Sequence, residues 1–233
     1  LPVPREVFHQ ELSVIQKKHF PASQPLPGVP KLLNDLANTS APKVHIALAT
    51  SSHRGNFDVK TAHLQQLFSV FSEDQRVLGD DSRIPPGKGK PAPEIYLLAL
   101  KTINDGLKKE GKEEQIKAEE CLVFEDSVPG IEAGRRAGMR VVWVPHPGLL
   151  QEYAGREEEV LAGLTGEHNP NRDEASHAVK LAKDDIRGQE ERSGEKVNGS
   201  PGNLDDGWGE LLPNLENFPY LHYGINIATD QRL

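Results

Sequence analysis

The chain has 233 residues, 36% hydrophobic and 27% charged, which is enough for one sizeable core with a smaller appended module. Its 27 Lys and Arg against 35 Asp and Glu give a formal charge of −8, which disfavours nucleic acid or an anionic membrane as main partner. The single cysteine, Cys121, excludes an intrachain disulfide and a cysteine-based zinc cluster, and no run approaches the roughly 18 apolar residues of a membrane span.

In chain order, residues 5–19 place Val7, Phe8, Leu12 and Ile15 at amphipathic helical spacing, and Pro21, Pro25 and Pro27 end that helix. Gly28 to Leu36 reads as a second helix. Val44 to Ala49 is an apolar run followed by Thr50, Ser51 and Ser52, the pattern of a buried strand delivering a polar loop. Phe57 to Phe68 reads as a helix and Arg76 to Leu78 as a short strand. Residues 84–93 hold four prolines and two glycines in ten positions, which excludes regular structure there. Glu94 to Asn104 is then a helix with Ile95, Leu97, Leu98, Leu100 and Ile103 available to a core.

Cys121 to Phe124 is a further strand, ended by Glu125 and Asp126. Ile131 to Ala137 is helical with Gly138 as its stop, and Val141 to Val144 is a third strand of the same kind. Strand and helix alternating in this rhythm predict a parallel, Rossmann-like doubly wound sheet with helices on both faces. From residue 166 to 206 large apolar residues almost vanish, so the segment reads as a polar disordered insertion. Trp208, Leu211, Leu212, Leu215, Phe218, Tyr220 and Tyr223 then restore an apolar density, and 207–233 is expected to dock on the core.

Ligands of such sheets bind at the carboxyl ends of the strands. Three polar stretches are candidates: Thr50-Ser51-Ser52, Lys90 in its Pro/Gly loop, and the adjacent acids Glu125 and Asp126. Hydroxyl and amide donors, one cation and two carboxylates are the parts that hold a phosphate and a magnesium ion. The acids are the most telling, because ending a buried strand in two charges costs solvation unless something positive awaits them. A Thr-Ser-Ser after a strand is more often a plain helix cap, and a lone loop lysine is more often solvated.

Taken together, Ala-Thr-Ser-Ser at 49–52, Gly-Lys-Pro-Ala-Pro-Glu-Ile-Tyr at 89–96 and Val-Phe-Glu-Asp-Ser-Val-Pro-Gly-Ile-Glu-Ala-Gly at 123–134 resemble three ordered motifs of the haloacid dehalogenase superfamily. The resemblance covers roughly residues 1–165 and points to the helical-cap subgroup. It implies a Mg2+-dependent phosphatase of a small phosphorylated metabolite, such as pseudouridine 5'-phosphate, a sugar phosphate or glycerol 3-phosphate. Carried over, Thr50 and Ser51 would bind the phosphoryl group, Lys90 would neutralise its charge across a candidate cis Lys90–Pro91 bond, and Asp126 would hold magnesium. Glu125 would support the metal directly or through water. Ser52, His53 and Arg54 would lie where relatives contact substrate.

The resemblance also implies a helical-cap remnant at 1–24 and a core at 25–165 lacking its central first strand, which the insertion at 166–206 and the docking segment at 207–233 follow. The family's first motif, Asp-x-Asp-x-Thr, supplies the aspartate that becomes an aspartyl phosphate. No such stretch occurs here, and Asp80-Asp81, Asp184-Asp185 and Asp205-Asp206 do not replace it. With its only methionine at Met139 and Leu1 first, the chain is expected to be a truncated and inactive form. It is further expected to be a cytoplasmic monomer without nucleic-acid or membrane partners. Two other readings stay open, a non-catalytic phosphate-binding regulator and a phosphosugar mutase.

Overall fold

The computed structural model describes residues 3–39, 42–112, 114–166 and 200–227. They form two compact units, one of residues 1–82 with 214–233 and one of residues 83–213. The fold is α/β, and every strand pairing is parallel. The strands fall into a two-stranded sheet and a three-stranded sheet.

The first unit contains α1 (Arg5–His19), α2 (Val29–Ala37), β1 (Leu48–Ala49), α3 (Arg54–Thr61), α4 (Gln65–Phe68) and β2 (Arg76–Val77). Leu48 and Ala49 register against Arg76 and Val77. Of the expected strand from Val44, the last two residues form the parallel pairing with β2. The expected helix at 57–68 starts earlier and breaks. His53 Nδ1 accepts the N–H of Asn56 and so caps α3 three residues ahead of the apolar run. At the other end the Thr61 hydroxyl donates to the Phe57 carbonyl at 2.9 Å, the back-bond that disfavours continuation, and the chain turns before α4.

Helix α1 buries none of its residues: Val7, Phe8, Leu12, Val14 and Ile15 are exposed. In the same unit the segment after Asn214 is held to α2. The Leu215 N–H donates to the Pro27 carbonyl at 2.9 Å, and the Tyr220 hydroxyl donates to Asp35, which also pairs with Lys31. Leu215 and Phe218 are buried, as are Leu32 and Leu36 of α2.

The second unit contains α5 (Glu94–Lys109), β3 (Leu122–Glu125), α6 (Val128–Arg136), β4 (Arg140–Trp143), α7 (Pro147–Glu152), α8 (Glu157–Ala162) and β5 (Gly209–Leu211). The sheet order is β3-β4-β5, with Val123 opposite Val141 and Val142 opposite Glu210. Val141, Val142 and Trp143 are fully buried, which explains why β4 reads as a continuous apolar run. Gly138, at φ +73°, ends α6 in a left-handed turn, with Met139 N–H bonded to the Gly134 carbonyl.

Of the expected polar insertion, residues 167–199 lie outside the described residues. Residues 200–206 run against α6 and α8: the Gly202 N–H donates to the Ala162 carbonyl at 2.8 Å, and Asp206 pairs with Arg135. Arg135 is 1% exposed, and Asp206 also accepts the N–H groups of Asn203 and Trp208 at 3.1 and 3.0 Å. One carboxylate therefore ties a buried cation to the turn that leads into β5. Asp206→Ala leaves that cation without its counter-charge and should lower the unfolding free energy by about 3–5 kcal/mol. The double variant Arg135→Met/Asp206→Ala should recover most of this in chemical denaturation.

Candidate active site

Beta-strand β3 runs apolar until it ends in Glu125, and Ser127 then starts α6 by accepting the Gly130 N–H on its hydroxyl at 3.2 Å. The cap is bonded to the strand end. The same Ser127 hydroxyl donates to Glu125 Oε2 at 2.9 Å, and the Ser127 backbone N–H reaches that oxygen at 3.1 Å. The other oxygen, Oε1, accepts from the Tyr96 hydroxyl at 2.7 Å and from the Lys90 ammonium. All four acceptor positions of this carboxylate are therefore engaged.

Lys90 and Glu125 have side chains that are each only 7% exposed, so the ion pair is dry. Lys90 comes from the Pro/Gly loop, whose Lys90–Pro91 bond is cis, and Tyr96 from the first turn of α5. The Lys90 Nζ also stands 4.9 Å from the centre of the Tyr96 ring. Burial by itself would raise the Glu125 carboxyl, but the Lys90 charge, with the bonds from Lys90, Tyr96 and Ser127, outweighs it and holds the group below the usual carboxylate range. Burial, and next the Glu125 charge, push the Tyr96 phenol well above its ordinary value, so it stays a donor.

Asp126, the next residue, is the contrasting acid. Its side chain is exposed, and its backbone carbonyl accepts the Trp143 indole N–H at 3.3 Å. Desolvation at the strand end, and then the Glu125 charge beside it, raise its carboxyl. Two neighbouring acids are thus driven apart, Glu125 neutralised inside the protein and Asp126 left as a negative group facing out. That contrast fits a cation at Asp126. Magnesium takes few carboxylates and completes its shell with water and phosphate oxygen. Among the described residues no group of three or more His, Cys, Asp or Glu gathers as a ready metal cage.

In the first unit the chain leaves β1 into the predicted hydroxyl loop. The Thr50 N–H donates to the Val77 carbonyl at 3.0 Å, and Thr50 Oγ1 accepts the Ser52 N–H at 3.2 Å. Ser51 is exposed and Ser52 half-buried, with the Lys60 ammonium on the Ser52 hydroxyl at 2.9 Å. His53 caps α3, and Arg54 reaches Asp58 and Glu73 at 3.8 and 3.5 Å. Asp80 accepts the Arg54 backbone N–H on both oxygens, at 3.0 and 3.1 Å, which occupies it as a structural acid at the start of α3.

The structure thus brings Lys90 and Glu125 together with Asp126 adjacent, and groups Thr50, Ser51, Ser52, His53 and Arg54 in one strand-to-helix turn. The sequence reading passed over Tyr96, Ser127, Gly130 and Lys60. Tyr96 and Ser127 stand inside the quoted motifs, six residues after Lys90 and two after Glu125, spacings that carry meaning only once the loop and strand end are folded. Gly130 leaves room for the site, since a Cβ there would overlap the Glu125 carboxylate.

An α/β protein with a hydroxyl turn after one strand, a buried lysine in a loop and paired acids at the end of another strand has the parts of a phosphate-handling hydrolase. The profile of the haloacid dehalogenase-like hydrolases matches residues 4–138, more than half of the chain, and the chain belongs to that family. It is 39% identical over 161 residues to an uncharacterized protein of Schizosaccharomyces pombe, covering 69% of this chain and 63% of that protein. It is 38% identical over 163 residues to a probable pseudouridine-5'-phosphatase of Saccharomyces cerevisiae, covering 70% and 64%. It is 35% identical over 162 residues to the mitochondrial (DL)-glycerol-3-phosphatase 1 of Arabidopsis thaliana, covering 70% and 47%. The chain therefore spans less than two thirds of the length of these relatives. No helix among the described residues is long and apolar enough to cross a membrane.

The Gly130 geometry gives a test with a definite sign. Gly→Ala inside a helix ordinarily gains up to about 1 kcal/mol. Gly130→Ala should instead lose about 1–3 kcal/mol in denaturant unfolding, because the new methyl must displace the Glu125 carboxylate from Ser127 and Lys90.

Proposed function

We propose that the protein is a magnesium-dependent phosphatase of small phosphorylated metabolites, of the kind that hydrolyse pseudouridine 5'-phosphate or glycerol 3-phosphate. The observation that carries this reading is the split between two adjacent acids, Glu125 closed on Lys90 and Asp126 open to a cation. The names of the yeast and plant relatives support the substrate class.

In this reading Asp126 holds magnesium, which supplies charge neutralisation for the phosphoryl group. Glu125, with its oxygens engaged, acts on the metal only indirectly and keeps Lys90 in place. Lys90 contributes positive charge toward the transferring phosphoryl group, where a fixed charge out of water is worth more than in bulk. Thr50 donates its hydroxyl to that group, while its Oγ1 lone pair stays on the Ser52 N–H. Ser51 adds an exposed hydroxyl and its amide. Ser52, His53 and Arg54 are assigned to contact with the substrate. No Asp-x-Asp-x-Thr stretch occurs in this sequence, so the attacking carboxylate of the aspartyl-phosphate scheme is not among its residues.

The domain division is part of the same proposal: 1–24 as part of a helical cap, 25–165 as core, 166–206 as insertion and 207–233 as a docking segment. The exposed apolar side chains of α1 support the first assignment, since a helix of this pattern is made to be covered. The polypeptide of the gene's full reading frame should hydrolyse para-nitrophenyl phosphate with magnesium and stop on chelation. Asp126→Ala or Lys90→Ala should each lower kcat by at least about 100-fold. Turnover that survives chelation and both substitutions would refute the assignment.

A further inference from the structure

We propose that Tyr96 is a positioning residue that locks the Lys90 ammonium on Glu125, a role that rests on the phosphatase reading for its purpose but not for its test. Two separate contacts of Tyr96 converge on the same ion pair. The Tyr96 hydroxyl donates to Glu125 Oε1 at 2.7 Å, the oxygen that also takes Lys90, and the Tyr96 ring lies 4.9 Å from Lys90 Nζ. One side chain therefore orients the anion by a hydrogen bond and faces the cation with its π-surface.

A lysine carries three rotatable donors on a flexible stem, and a single carboxylate does not fix its direction. Oε2 is fixed by the hydroxyl and N–H of Ser127, so Tyr96 is the group that sets the remaining oxygen. Tyr96 is itself buried, at the start of α5 with its N–H on the Pro93 carbonyl at 3.0 Å, so it brings little motion of its own. A phenylalanine would fill the same space and keep the ring. It could not bond Glu125, and it is the hydroxyl that makes tyrosine specific here.

The test observes Lys90 directly. In the full chain, a 15N-detected spectrum of lysine side chains should show a slowly exchanging ammonium signal, assigned to Lys90 by its loss in Lys90→Met. Tyr96→Phe should broaden and shift that signal while the backbone spectrum away from residues 90–96 and 122–130 stays unchanged. Tyr96→Leu, which also removes the ring, should abolish it. Affinity for inorganic phosphate, titrated calorimetrically with magnesium present, should fall about 10-fold in Tyr96→Phe, the scale of one lost hydrogen bond to a charged group.

An unchanged Lys90 signal in Tyr96→Phe and Tyr96→Leu, or no slowly exchanging signal in the native chain, would overturn the proposal. If the native chain binds no phosphate while the Lys90 signal responds to both variants, the lock stands and the phosphatase reading fails.

Discussion

The dry ion pair between Lys90 and Glu125 is the interaction on which the site depends. Taking two charges out of water costs several kcal/mol each, and mutual attraction offsets that only with good geometry and satisfied remaining valences. The neighbourhood supplies both. Ser127 gives a hydroxyl and an N–H, Tyr96 gives a hydroxyl, and Gly130 gives the empty volume into which the carboxylate fits. Helix α6 can start where it does because Ser127 serves as its cap while holding Glu125, so the geometry of the charge pair and the local fold are set by the same atoms.

That pair also explains the division of labour at the strand end. Glu125 is closed on Lys90, Tyr96 and Ser127, whereas desolvation, and next the Glu125 charge, raise the carboxyl of Asp126 beside it. In the hydroxyl turn after β1, hydrogen bonding is spent in the same economical way. Thr50 Oγ1 closes the turn as an acceptor and keeps its own proton, while both Asp80 oxygens face the Arg54 N–H.

Much of this was legible in the sequence, for identifiable reasons. Leu122 to Phe124 of β3 and Val141 to Trp143 of β4 are unbroken apolar runs, and the Pro/Gly loop around Lys90 could not be regular, so Lys90, Glu125 and Asp126 stood out. Helix α1 has the boundaries that its periodicity and the following prolines set. Three features were not legible. The strand β5, at Gly209–Leu211, is too short to show a period and forms because β4 offers it an open edge. Asp206 looked like one more acid of a polar stretch, and only the fold shows the buried Arg135 beneath it. Tyr96 carried no signal of its own beyond its place in the motif at 89–96, because the oxygen it bonds lies 29 residues further on.

The most direct measurement is a crystal structure of the chain grown with magnesium and inorganic phosphate. The account predicts a cation on the Asp126 carboxylate, with Glu125 still bonded to Lys90, Tyr96 and Ser127. A cation ligated by both Glu125 oxygens, with Lys90 turned away from it, would contradict the account at its centre.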